Sequence, residues 1–217
     1  MKVVWATCAV SVAATCAAAQ PVIDVVVVRG GAVAGSGSVM TIENLAVNNH
    51  GDWLVEVDTD FPDPDRDAAL LGPTGLLLRE GDPLSAPLGA TLDSFDAIVL
   101  NNNGDSAWNF FLNGTGGIDR DSGIYFNRTL AILESDESKA PGLTQGTPYV
   151  GFFETKLNDV NQILIMASVD DPAIASSIDR ALIVVTYDPR TSMRSERLVA
   201  KEGDILPGQG HPVEDFE

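Results

Sequence analysis

Three stretches of this chain follow one pattern, an Asn-led turn running into a strand-like segment. They are Val47-Asn-Asn-His-Gly-Asp-Trp-Leu-Val55, Leu100-Asn-Asn-Asn-Gly-Asp-Ser-Ala-Trp-Asn-Phe-Phe-Leu112 and Leu157-Asn-Asp-Val-Asn-Gln-Ile-Leu-Ile165. Their leading residues, Asn48, Asn101 and Asn158, stand 53 and 57 residues apart. Asn and Gly tolerate the left-handed backbone of tight turns, so Gly51 and Gly104 fit the turn itself. Beyond the turn, Trp108, Phe110 and Leu112 alternate onto one face, the period of a strand. A chain that recurs at this interval must build similar units and stack them, because one small sheet cannot bury both of its faces.

A second mark recurs where strands end: Leu78-Arg-Glu-Gly-Asp-Pro83, Leu133-Glu-Ser-Asp136 and Ala200-Lys-Glu-Gly-Asp204, with Arg29-Gly30-Gly31 as a relative. Gly81 and Gly203 supply backbone freedom, and Asp82 and Asp204 can bond back to nearby amides. Between the two marks each unit has four strand-like runs. The first are 42–47, 95–100 and 149–157; the second 52–57, 106–112 and 162–169; the third 68–71, 123–126 and 181–187; the fourth 75–79, 129–133 and 197–201. Pro62, Pro64, Pro73, Pro141, Pro172 and Pro189 fall in the intervening turns, where a missing donor costs nothing. Helical periodicity is confined to a turn or two near Ala173–Arg180.

The expected fold is therefore all-β, a β-propeller-like array of four-stranded blades. Its repeats span approximately 36–85, 86–142 and 143–208, within one domain over 20–217. Stacked-sheet solenoids and a β-sandwich satisfy the same pattern. The expected core residues are Trp53 or Leu54, Val55, Leu76, Leu78, Trp108, Phe110, Ile124, Phe126, Ile163, Ile165, Ile183 and Val185. A partial unit at 22–35, with a strand over Val22–Arg29, precedes the array, and a stub at 209–217 follows it. Within the stub, Pro212-Val-Glu-Asp-Phe-Glu217 resembles Leu92-Asp-Ser-Phe-Asp96, the approach to the next Asn turn. Three blades are too few to close a propeller, so the pattern predicts an incomplete array, part of a longer one or a whole chain with covered ends.

Met1-Lys2, an uncharged run from Val3 to Cys16 and the exit Ala17-Ala18-Ala19 describe a secretory signal peptide over 1–19. The run falls short of the about 20 residues of a spanning helix. Both cysteines, Cys8 and Cys16, lie inside it, so the mature chain has no thiol for a disulfide, a metal or nucleophilic attack. The expected location is outside the cytoplasm: extracellular, cell-surface or periplasmic. A formal charge of −18 argues against nucleic acid, which needs a clustered basic surface.

The residues Asn101-x-x-Gly104-x-x-Ala107-Trp108 resemble the tandem NxxGxxAF repeat of exported bacterial proteins. Glu202 to Gly208 and the Gly123-Ile-Tyr-Phe126 strand are similar to further signatures of that family. The likeness covers roughly Val25 to the end. Leu54-Val55 replace Ala-Phe in the first unit, and Asn161 replaces the Gly in the third. The resemblance implies an exported propeller-like repeat of uncharacterised function and no catalytic residues.

The residues themselves mark no catalytic constellation. His50 sits at a turn position that Asn103 and Val160 fill elsewhere, and His211 lies in the tail. Paired carboxylates hydrolyse glycosides, but the acidic residues here recur at turn positions. Asp63, Asp65 and Asp67 alternate as the first ligands of a calcium loop do, although Ala68 and Thr74 stand where such a loop needs Gly and Glu. They are the candidate metal ligands; no other cofactor is implied. The expected function is a non-enzymatic binding or structural scaffold for an extracellular or surface ligand, recognised by the loops at one end. The alternative is a polysaccharide hydrolase or lyase that uses carboxylates the sequence does not mark.

Overall fold

A computed structural model describes residues 26–174 and 179–216. Every regular element is a strand except two single 3-10 turns, Pro64–Arg66 and Ile118–Arg120. The first sheet holds β1 (Ala32–Val33), β2 (Gly37–Val47), β3 (Trp53–Thr59), β4 (Ala68–Gly72) and β5 (Gly75–Arg79). The second holds β6 (Thr91–Leu100), β7 (Ser106–Asn113), β8 (Ser122–Phe126) and β9 (Thr129–Leu133). The third holds β10 (Tyr149–Leu157), β11 (Gln162–Val169), β12 (Arg180–Asp188) and β13 (Met193–Lys201). Strand order follows chain order in each sheet and all pairings are antiparallel.

Alternation decides which sheet each face meets. Leu54, Ala68 and Leu70 of the first sheet pack with Trp108, Phe110, Leu112 and Tyr125 of the second. The opposite face of the second sheet, with Ala107, Ile124, Phe126 and Ile132, packs on Ile163, Ile165, Ala181, Ile183 and Val185 of the third. Residues one apart on β7 thus lie in different cores, as the pleat requires. Aromatic rings reinforce the first interface, where Phe110 meets Phe95 edge-on at 5.3 Å and Tyr125 at 5.3 Å. The second is pinned by a buried Arg194–Glu196 ion pair at 2.8 Å. The other Glu196 oxygen accepts from Ser138 Oγ, Lys139 N–H and Tyr149 Oη. Arg194 also donates to Ala131 O and to Asp136, tying β13 to the second sheet.

Two expectations are corrected. Leu76 is exposed and Leu78 only half-buried, because β5 is an outermost strand and its side chains lie at the margin of the core. Val26–Arg29 forms no strand, because no neighbour among the described residues pairs with it, and Val26 and Val28 are exposed. The segment Val22–Val25, residues 175–178 of the expected helical turn, and the signal-peptide pattern over 1–19 lie outside the described residues. No helix among the described residues is long and apolar enough to cross a membrane.

Candidate functional site

The three Asn turns lie side by side and are wired together. In each, the asparagine Oδ1 accepts two N–H groups of its own turn: His50 and Asp52 for Asn48, Asn103 and Asp105 for Asn101, Val160 and Gln162 for Asn158. The amide nitrogen reaches onward. Asn48 Nδ2 donates to Asn101 O at 3.0 Å, and Asn101 Nδ2 donates to Asn158 O at 3.1 Å. Asn158 Nδ2 turns back to Gln162 Oε1 instead. A second row runs beside the first: Asn49 N–H donates to Asn102 Oδ1, and Asn102 N–H to Asp159 Oδ1, each at 2.9 Å. The side-chain and backbone bonds from Asn102 hold the exposed Asp159 carboxyl below the usual range.

The Glu-Gly-Asp mark has an equally local cause. Glu80, Glu134 and Glu202 each accept an N–H at or beside the start of the third strand of their sheet, from Ala68, Asp121 and Arg180. Asp82, Asp136 and Asp204 each accept from the last residue of the strand before them, Arg79, Leu133 and Lys201. Burial pushes the Glu80 and Glu134 carboxyls up to about 7. These residues hold the sheets in shape.

A groove of about 600 Å³ runs where the first strands of all three sheets, β2, β6 and β10, come together. Asn44, Asp96, Glu154, Thr155 and Lys156 are among its lining residues, with the exposed Leu45, Val47 and Phe153 beside them. Asp96 accepts from Asn109 Nδ2 at 2.5 Å, and Glu56 accepts from Asn44 Nδ2 at 2.6 Å. Burial raises the pKa of both carboxyls; the amide bonds lower it, and neighbouring Asp58 and Glu43 beside Glu56, and Glu154 beside Asp96, raise it again. Thr155 Oγ1 is buried with no hydrogen-bond partner among the described residues. Acceptors that are partly desolvated make a wall suited to a ligand rich in donors.

A family model described as a family of unknown function (DUF7453) matches residues 19–217. The chain belongs to that family. No curated protein and no solved structure matches it.

In this DUF7453 chain the residues singled out from sequence fall into two sets. Asn48, Gly51, Asn101, Gly104 and Asn158 form the wired turns, while Gly81, Asp82, Gly203 and Asp204 form the strand-end marks. Trp108 is buried between the first and second sheets. Asp63, Asp65 and Asp67 do not converge: Asp63 caps the Pro64–Arg66 turn by accepting from Asp65 N–H, and Asp67 offers its backbone oxygen to Thr59. No group of three acidic, His or Cys side chains among the described residues is placed to hold a metal. The groove residues Asp96, Glu154 and Thr155 escaped sequence reasoning. The available signal was a carboxylate shortly before each Asn turn: Glu43, Asp96 and Glu154.

Proposed function

We propose that this chain is an exported, non-enzymatic, propeller-like repeat scaffold that binds a ligand along the groove of β2, β6 and β10. The observation that carries the reading is that all three sheets contribute their first strand to one groove with Asp96 and Glu154 in its wall. Propeller blades place their first strands around a shared channel, and the consecutive antiparallel meanders of five, four and four strands support that comparison. The signal-peptide pattern and the absence of thiols after residue 19 support export. With a formal charge of −18, exposed Leu45, Val47 and Phe153, and the acceptor-rich wall, the groove favours a cationic, donor-bearing ligand with an apolar body.

The test is calorimetric titration of the secreted protein with a chitosan oligomer, a lysine–leucine peptide and a neutral cello-oligosaccharide. The two cationic probes should bind, and Asp96→Asn with Glu154→Gln should weaken them about tenfold or more, one lost charged contact being worth over 1 kcal/mol. Asp188→Asn, remote from the groove, should leave binding intact. Binding of the neutral sugar alone, or binding indifferent to both groove substitutions, would reject the site.

The hydrolase alternative has one observation in its favour, the raised carboxyls of Glu56 and Asp96 beside Glu154. Release of reducing ends from the oligosaccharides, abolished in Asp96→Asn, would replace the scaffold reading with that one.

A further inference from the structure

The chain enters each sheet through the same pair of backbone hydrogen bonds. Gly81 N–H donates to Leu92 O and Leu92 N–H to Asp82 O at the start of the second sheet. Ser135 N–H donates to Tyr149 O and Tyr149 N–H to Asp136 O at the start of the third. The pair occurs once more after the third sheet: Gly203 N–H donates to Val213 O and Val213 N–H to Asp204 O, each at 2.9 Å. Phe95 and Phe152, following Leu92 and Tyr149, are buried between sheets, and Phe216 stands at the matching place after Val213. Phe216 lines an open groove of about 540 Å³ together with Leu164, Met166 and Leu182 of the outward face of the third sheet. Arg180 Nη1 fixes it there by donating to Asp215 Oδ1 and Phe216 O.

That outward face is apolar and only half-covered. By strand register Leu164, Met166, Leu182 and Val184 correspond to Ala107, Asn109, Ile124 and Phe126, which are buried beneath the third sheet. The wired turns end on the same side: Asp159 N–H has no acceptor among the described residues, where Asn49 and Asn102 N–H each have one in the next turn. We propose that the outward face of β10–β13 seats a fourth four-stranded sheet whose first strand begins with Val213–Phe216. The occupant is polypeptide running on from Phe216. A second copy fits poorly, because its own Val39, held in the same way by Gly30 and Gly31, would claim the place that Val213 fills.

The test exploits the lack of thiols after residue 19. Met166→Cys is introduced into the 217-residue chain carrying Cys8→Ser and Cys16→Ser, and into the same chain with a duplicate of residues 92–137 in place of Val213–Glu217. Thiol labelling in the extended chain should slow about tenfold or more, as burial under a packed sheet makes labelling wait on local opening. Met193→Cys, at an exposed site, should label equally in both. In the unextended chain Phe216→Ser should speed labelling of Met166→Cys, a readout independent of whether the duplicate folds. Unchanged rates in both comparisons would overturn the proposal. So would a dimer by sedimentation in which the unextended Met166→Cys thiol is protected, since that assigns the face to a second copy.

Discussion

Asn161 shows how a single residue can be misjudged from its letter. It takes the turn position that Gly51 and Gly104 hold at φ of 86° and 80°, and reads as a degenerate copy of the pattern. Its own φ is 59°, and Asn is among the residues that tolerate this region. It also earns a role no Gly could have: Asn161 Oδ1 accepts from Asn101 Nδ2 at 2.7 Å, and its amide donates to Asp105. Asn101 is consequently the most connected of the three leading asparagines. Asn101→Ala should cost about 2–3 kcal/mol, because it strands two turn N–H groups and cuts the tie to the third turn. Asn158→Ala, whose amide returns to its own turn, should cost about 1 kcal/mol less. Chemical denaturation of the two variants checks the order, and equal losses would mean that the ties between turns add nothing.

Among the elements, second and third strands were readable because period-two alternation is strong where both faces are covered. Of the strands that lead into the Asn turns, β10 has the expected bounds, Tyr149–Leu157, and the other two start earlier than expected. Runs expected from Ile42 and Phe95 begin at Gly37 and Thr91, since each first strand changes register twice against its neighbour and alternation is lost there. The groove was illegible for a related reason, as its residues lie in three sequence-distant strands and meet only after stacking. The glutamates of the strand-end marks have a consequence at this scale. Glu80 and Glu134, pushed up to about 7 by burial, hold their protons more tightly folded than unfolded. Their contribution is full below the ordinary carboxylate range near pH 4.5 and is lost as pH rises through about 7. The melting temperature should therefore fall between pH 5 and pH 8, and the double variant Glu80→Gln/Glu134→Gln should flatten that fall. An unchanged slope would place the pH dependence in the overall acidic charge.

For the whole molecule, the order of the sheets sets an order of stability. Among the described residues only the second sheet has another sheet against each face, and the third leaves Leu164, Met166, Leu182 and Val184 half-covered. In stacked architectures stability is close to a sum over neighbours, so the middle member opens last. Amides of β7 and β8 should be the slowest to exchange with deuterium, ahead of β11 and β12, with β5 the fastest of the paired strands. Slower exchange in β12 than in β8 would contradict nearest-neighbour stacking.

The wired turns also carry a direction in time. Synthesis delivers the amino-terminal turn first, yet Asn48 Nδ2 finds its forward acceptor only when Asn101 is made, 53 residues on, and Asn101 waits a further 57. Each newly made turn thus completes the one before it. The third has no later turn to reach among the described residues, and its amide bonds only Gln162 Oε1 of its own turn. A ribosome paused between the second and third turns would hold a chain whose Asn101 amide is still waiting, and the emergence of Asn158 is the event that ties the second turn to the third.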